Sequence, residues 1–516
     1  VCVAAFSVQL ALPTVVNARP DGVTVAEVDI SISAEDYLGL ITEDTKVKHK
    51  VSAEVNGAAE RAATINIRGN SSKTIGRKLS SKRIPFELVF SDKKDFDSVI
   101  ANKDVKFINC FLLYRIIAEF LALDLFASMD IPVPDHELSF ISFNGVDFGL
   151  YLAVEDTNGT FVRKNYGEKK GCLYKSTNKS KEGEVYYSDW FEYVFVKSGE
   201  DAGNLEKLID ALESGSGYEE YVNVDEWLRY FACVSSVGGA ASILDERHNF
   251  ILFDNDGVFD LIPWDLSDAF CGGNSGYGID HYDYTGLFKE KTRSLFDLFM
   301  SNPEYKEKYH GYIREICEGF LSESSVERLF SEIVDALEPY IPRDRSTPLS
   351  SPDAVERLLD PKPDDKLNVL YELRSIRENL LRQLDGEEDT FFVNPAYEQF
   401  YKADGYDAFV SQLERLSPEG CGDLPDMIIA AADGRHESDP DDSTVPQSVE
   451  PETSVTDAPT EPSDARKKSN VAPIAISVCV CAAAAVGIAA AITATKRRKR
   501  RARTDMSGPG GTGKDS

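Results

Sequence analysis

Apolar and polar residues alternate along Val23–Ile32 and Lys46–Val55, and Thr64-Ile65-Asn66-Ile67-Arg68 carries the same period of two into Gly69-Asn70-Ser71-Ser72. A period of two predicts half-buried strands. Ile84-Pro85-Phe86-Glu87-Leu88-Val89-Phe90 predicts another strand, so the polar segment Gly69–Ser81 reads as a long hairpin loop, able to offer N–H groups and hydroxyls to a phosphate. From Phe107 to Met129 apolar residues recur at helical spacing, with Arg115 and Glu119 on the polar face and Ile131-Pro132-Val133-Pro134 as the stop. Glu137–Phe143 and Phe148–Val154 flank Asn144-Gly145, the dipeptide that suits a type I′ turn, and predict a β-hairpin with Glu155 at its exit.

Cys172-Leu173-Tyr174-Lys175 predicts a short strand and Leu205–Val237 a helical stretch. Arg247–Phe253 and Phe259–Asp265 then read as strands around the turn Asn255-Asp256-Gly257. The remainder, from Leu287 to Leu416, has the pattern of amphipathic helices, broken by a proline-rich loop near Pro342–Pro363, and its expected task is scaffolding.

The ends of the chain differ in kind from this middle. Val1–Val16 is apolar and runs into the small-x-small group Val16-Asn17-Ala18, so residues 1–18 read as the remnant of a secretory signal peptide, with a buried first strand as the alternative. Residues 433–470 are rich in Pro, Ser, Thr and acidic side chains, too poor in apolar surface to fold, and predict a disordered acidic stalk. Its hydroxyls are either modified or simply solvated. Residues 471–495 are uncharged and almost all Ala, Val and Ile, which predicts one transmembrane helix. The basic run opening residues 496–516 outweighs Arg466-Lys467-Lys468, and by the positive-inside rule it is a cytosolic tail. The globular domain, residues 19–424, is thereby expected outside a cell membrane, on a single-pass anchor.

With 516 residues, 42% of them hydrophobic, core size does not limit stability. A net charge of −31 excludes a nucleic-acid partner, since counterion release needs a basic stripe. Cys110, Cys172, Cys233, Cys271, Cys317 and Cys421 show neither ligand spacing nor a disulfide framework and read as buried thiols.

Five groups in order carry a resemblance: Arg68-Gly69-Asn70-Ser71-Ser72; Asn144-Gly145 with Gly149-Leu150-Tyr151 and Glu155; Leu173-Tyr174-Lys175; His248-Asn249; and Pro263-Trp264-Asp265. Over Ile65–Gly273 the chain resembles the CotH family of atypical protein kinases, known from spore coats. The resemblance implies an α+β, protein-kinase-like two-lobed fold, with a β-rich N-lobe and a helical C-lobe, binding ATP with Mg²⁺ or Mn²⁺ and phosphorylating Ser or Thr of a surface or secreted protein. Phosphoryl transfer is mainly positioning and charge neutralisation. Arg68, Gly69, Asn70, Ser71 and Ser72 would form the phosphate loop, Asp265 and Asn249 would hold the metal, and Trp264 would set the aspartate's direction. His248 reads either as part of the site or as a core histidine. Lys82 and Arg83 stand where the family pattern has Lys-Lys-Pro-aromatic, and one of them, with Lys175, would supply the cation. Glu155 would orient a cation or lie near the nucleotide.

Two departures weaken the implied catalysis. The family's aspartate before His-Asn is replaced by Gly238-Gly239-Ala240-Ala241-Ser242, leaving Asp245 as the substitute base, and Ser267 stands where a further polar ligand is usual, with Asp268 next to it. The alternative is a catalytically impaired, kinase-like surface adhesion or binding protein. A hydrolase built from Glu155 with Asp260, Asp265, Asp268, Asp280 and Asp283 is weaker, because carboxylates are abundant in so acidic a chain. Oligomeric state is not legible.

Overall fold

The computed structural model of the chain describes residues 22–43, 47–91, 104–111, 113–167, 171–177, 185–186, 193–238, 242–244, 249–267, 269–270, 295–346, 369–387 and 406–436. The chain divides into two compact units between Ala432 and Asp433. In the second, only residues 433–436 are described, so the expected stalk, transmembrane segment 471–495 and basic tail lie outside the described residues, as does the expected signal remnant 1–18. Among the described residues no helix is long and apolar enough to cross a membrane.

Seven strands close into a barrel: β1 (Val25–Ser31), β2 (His49–Val55), β3 (Arg61–Ile67), β4 (Phe86–Phe90), β5 (Asp104–Ile108), β6 (His136–Phe143) and β7 (Val146–Glu155), in the order β1-β2-β3-β4-β5-β7-β6. Neighbours are antiparallel except at the closure, where β6 runs parallel to β1 from Val25↔Leu138 to Ile30↔Phe143. Closure leaves no open sheet edge. Alternation does what the sequence pattern requires: Ala26, Val28 and Ile30 of β1 and Val51, Ala53 and Val55 of β2 point inward and are buried. Phe86 and Phe107 stack there at 4.8 Å, with Tyr151 at 5.5 Å from Phe86. At the β6–β7 turn Asn144 and Gly145 both have positive φ, 54° and 76°, as the expected hairpin demands. The buried Asn144 amide also joins Ile32 N and O, each at 2.9 Å.

A separate five-stranded sheet has the order β12-β11-β8-β10-β9, from β8 (Cys172–Thr177), β9 (Val185–Tyr186), β10 (Tyr193–Ser198), β11 (Phe250–Asn255) and β12 (Val258–Pro263). Its strands β8, β11 and β12 are packed on both faces. Tyr174, Leu252, Phe259 and Leu261 join the helical core. Leu173, Ile251, Phe253 and Ile262 pack with Phe161 and Val162.

The helices are α1 (Ala34–Thr42), α2 (Ser71–Lys78), α3 (Leu113–Ser128), α4 (Gly159–Tyr166), α5 (Asn204–Ser214), α6 (Val224–Val237), α7 (Leu295–Met300), α8 (Pro303–Glu318), α9 (Glu323–Leu337), α10 (Val369–Leu384), α11 (Tyr406–Leu416) and α12 (Leu424–His436). The large helical core centres on α3, α6 and α8, with Trp227 stacked on Phe299 at 5.7 Å. Cys110, Cys172, Cys233, Cys317 and Cys421 are free and buried, and Cys271 lies outside the described residues.

This architecture overturns the expected protein-kinase-like two-lobed fold with its helical C-lobe. The N-terminal strands close on themselves through β1 and β6, and the later strands, apolar on both faces, form a second sheet between helical layers rather than leaving an all-helical second half. Two local expectations also change. The segment expected as a loop over Gly69–Ser81 contains α2, because Ile75 and Leu79, one turn apart, both bury in the helical core. The helix expected from Phe107 begins only at Leu113, since Val105 and Phe107 alternate into the barrel as β5.

Candidate active site

The end of the barrel bearing β5 and the end of β7 meets the second sheet at a group of charged side chains. Register brings Asn66, Glu87 and Lys106 side by side on β3, β4 and β5. Asp156 follows β7 directly; Lys175 is on β8, opposite Phe195 of β10 and Ile251 of β11; Lys197 lies at an irregularity in β10. At the exit of β12 two ammonium groups approach the Trp264 ring, Lys175 Nζ at 3.7 Å and Lys106 Nζ at 4.2 Å from its centroid. Such geometry is a cation–π contact on both lysines.

One carboxylate serves two of the three lysines. Asp156 is ion-paired with Lys106, and Lys197 Nζ stands 3.2 and 3.4 Å from its oxygens while also donating to Thr157 O. Lys175 forms no ion pair among the described residues, a costly state for a largely buried cation. Burial lowers its affinity for a proton first, Lys106 and Lys197 lower it further, and Asp265 and Asp156 oppose them, leaving its pKa at about 7. Burial also lowers that of Lys106, against the pull of Asp156. For Asp156, burial acts upward but Lys106 and Lys197 outweigh it and hold the carboxyl at about 2.

Asp265 and Asn249 sit beside this group at the ends of the β12 and β11 hairpin, both in left-handed backbone at φ 57°. Asn and Asp are the non-glycine residues that tolerate this conformation best, and its cost concentrates at functional sites. Asn249 Nδ2 donates to Asp265 O at 3.4 Å, and Ser267 Oγ donates to Asp265 Oδ1 at 3.1 Å. Arg115 of α3, buried, donates through Nε to Ser267 O at 2.9 Å and so anchors the turn that bears Asp265. Asp265 itself is exposed. Among the described residues no three His, Cys, Asp or Glu side chains converge as a closed metal site. The exposed Asp265 carboxylate and the side-chain oxygen of Asn249 are the donors here that could hold a hard divalent cation, which takes one or two protein oxygens and completes its shell with phosphate and water.

The other sequence-derived candidates fall into several places. Arg68 pairs with the buried Glu87, Nε to Oε2 at 2.9 Å, and through Glu87 it neighbours Lys106. Gly69 has φ 78°, and a Cβ there would lie 2.3 Å from Ser72 Oγ. Asn70 occupies the N-cap of α2 and Ser71 and Ser72 its first turn, with Ser71 Oγ 3.1 Å from Tyr406 OH. Lys82, at φ 55°, donates to Arg77 O at 2.9 Å. Arg83 is fully buried as a brace: Nε to Asn109 O at 2.5 Å, Nη1 to Ser346 Oγ at 2.6 Å, Nη2 to Leu150 O, and its guanidinium 4.3 Å above Tyr151. Glu155, also buried, accepts from Asp135 N at 3.1 Å and from Lys164 at 3.3 Å. Asp245, His248 and Asp268 lie outside the described residues. Sequence reasoning did not find Lys106, Asp156 or Lys197; the alternation Asp104-Val105-Lys106-Phe107-Ile108 was the available signal for the first.

Comparison with known proteins agrees with this part of the chain. Residues 65–353 match the family model described as CotH kinase protein. Inner spore coat protein H of Bacillus subtilis (strain 168) is 24% identical over 238 residues, covering 43% of this chain and 64% of that protein. The chain thus spans less than two thirds of that relative's length.

Proposed function

This chain belongs to the CotH family, and on that premise we propose that it transfers the γ-phosphate of ATP to serine or threonine hydroxyls of a surface or secreted protein. The carrying observation is Lys175, a largely buried cation with no ion-pair partner among the described residues, held on Trp264 beside Asp265 and Asn249. Its ammonium takes the phosphate oxygens of the nucleotide, while Lys106 and Lys197 are already matched by Asp156. Arg68, paired with Glu87 next to Lys106, and the N-terminal turn of α2 would add further donors. Lys82 and Arg83 act on protein carbonyls and hydroxyls instead.

Asp265 and Asn249 would hold Mg²⁺ or Mn²⁺, which when bound neutralises charge on the transferring phosphate. The acceptor oxygen bonds to the γ-phosphorus as the bond to the bridging oxygen breaks, ADP departs, and Asp245 takes the hydroxyl proton. Positioning and charge supply most of the rate in such a transfer. The coat location in the relative's name supports a surface-associated place for this chain.

The test is thermal unfolding of the full chain with ATP and either metal, followed by transfer of labelled phosphate to casein. At free ATP a hundredfold above Kd the folded state gains about 2.7 kcal/mol. A metal-dependent shift, lost in Asp265→Ala, supports the assignment. No shift at millimolar ATP with Mg²⁺ or Mn²⁺ refutes it.

A further inference from the structure

Helices α11 and α12 lie beyond residues 65–353, which carry the family match. Yet α11 rests on α2, the helix that opens with the candidate phosphate turn. A helix of eight residues does not hold itself in water, so the place of α2 depends on what grips it. Ile75 and Leu79 hold it to the helical core, and α11 supplies a polar grip.

That grip reaches both ends of α2. Just past its C-terminal end, the Glu414 carboxylate accepts from Ser80 N at 2.6 Å and from Ser80 Oγ at 2.7 Å, and Asp407 pairs with Lys78. At its N-terminal end, Tyr406 OH donates to Ser71 Oγ at 3.1 Å. A hydroxyl that accepts this bond keeps its own proton for another partner.

We propose that α11 is a strap. Seated, it fixes α2 and leaves the Ser71 proton available to a nucleotide phosphate; released, it frees α2 while the chain behind it stays moored. The strap stands on the contacts alone, and its effect on nucleotide rests on the phosphotransfer reading.

The two C-terminal helices are held by different means. Val410 and Leu413 are the buried residues of α11, and Phe409 adds an edge contact to Phe111 at 6.4 Å. α12 is moored in the barrel core instead, where Leu424 and Ile428 are fully buried and Ile428 O accepts from Asn144 Nδ2 at 3.2 Å. Between them Gly420 has φ 76°, in the left-handed region where glycine moves at least cost, and is the hinge. Cys421, just past it, lies 3.3 Å from Ser80 Oγ, so the mooring also begins beside the end of α2. A short helix with few apolar anchors opens at lower free energy than the whole fold. Tyr406 and Glu414 are therefore positioning residues, which act on the phosphate turn through Ser71 and Ser80.

The experiment measures amide hydrogen exchange and affinity for ATP with Mg²⁺ in the full chain, in Glu414→Ala and in Tyr406→Phe. Glu414→Ala should speed exchange in α2 and α11 by about tenfold or more and leave α12 and the barrel strands unchanged. Tyr406→Phe should speed exchange in the first turn of α2 and weaken ATP binding about fivefold. Unchanged exchange in α2, or faster exchange spread evenly over α12 and the barrel, overturns the strap. Faster exchange in α2 with unaltered ATP affinity overturns its effect on the site. If the wild type binds no ATP, the phosphotransfer reading falls and that effect with it, while exchange still decides the strap. Should Glu414→Ala fail to fold, Tyr406→Phe, which lacks one oxygen atom, decides by the same two measurements.

Discussion

Lys175 and Arg83 carry the same charge to opposite ends. Arg83 is enclosed by Asn109 O, Leu150 O, Ser346 Oγ and the Tyr151 ring, so Arg83→Met strands buried acceptors and should cost about 3 kcal/mol or more, read as a lowered urea midpoint at unchanged slope. Lys175→Met should leave the fold as stable as before or more so, because it removes a largely buried cation that forms no ion pair among the described residues and that burial penalises most. The same change should weaken ATP binding by about tenfold or more, seen by titration calorimetry, since a charge-assisted hydrogen bond contributes about 1.5–3 kcal/mol. Asp156 carries the acid-side signature. Its carboxyl, held at about 2 by Lys106 and Lys197 against burial, stabilises the fold above the ordinary carboxylate range and loses that contribution as pH falls through about 2. Asp156→Asn should therefore lower Tm at neutral pH and shrink its difference from wild type as the solution is acidified toward pH about 2–3.

Among the elements, α2 shows how a polar segment becomes a helix. Its apolar content is confined to Ile75 and Leu79, too little periodicity to read, and the signal is tertiary: Gly76 lies so close to the following chain that a Cβ would stand 2.2 Å from Arg83 O. Gly76→Ala must push α2 away from the Arg83–Ile84 backbone, at a cost of about 1–3 kcal/mol in urea unfolding. ATP affinity should fall with it, since Arg68–Ser72 ride at the start of the same helix. From the other side α11 holds α2 down: Glu414 accepts from Ser80 N at 2.6 Å and Ser80 Oγ at 2.7 Å, and Lys78 pairs with Asp407. The β6–β7 hairpin is legible in the sequence because Asn144-Gly145 encodes its own turn. Strand β5 is less so, because its five residues run toward an apolar helix and share its hydrophobic composition.

For the molecule as a whole, the closed barrel makes distant strands cooperate. Phe86 touches Phe107, Tyr151 and, at 6.1 Å, Phe143, side chains from β4, β5, β7 and β6. Phe86→Ala should cost about 3–5 kcal/mol and speed amide exchange in β1 and β6 together, because their parallel pairing closes the barrel. Faster exchange confined to β4 would mean that the strands open independently.

By itself the sequence determined the local structures: the period-two strands, the Asn144-Gly145 turn, the β11–β12 hairpin and the pairing of Asn249 with Asp265 at its ends. Each rests on interactions within a few residues, or on an alternation that survives any global arrangement. Tertiary structure alone decided that β6 returns beside β1, that the later strands form a sheet of their own, that Lys106 of β5 and Lys175 of β8 meet at Trp264, and that Lys197 of β10 joins Lys106 at Asp156. Those choices depend on burial and charge balance between segments far apart in the chain, and side-chain alternation says which face a residue takes but not which strand it will face.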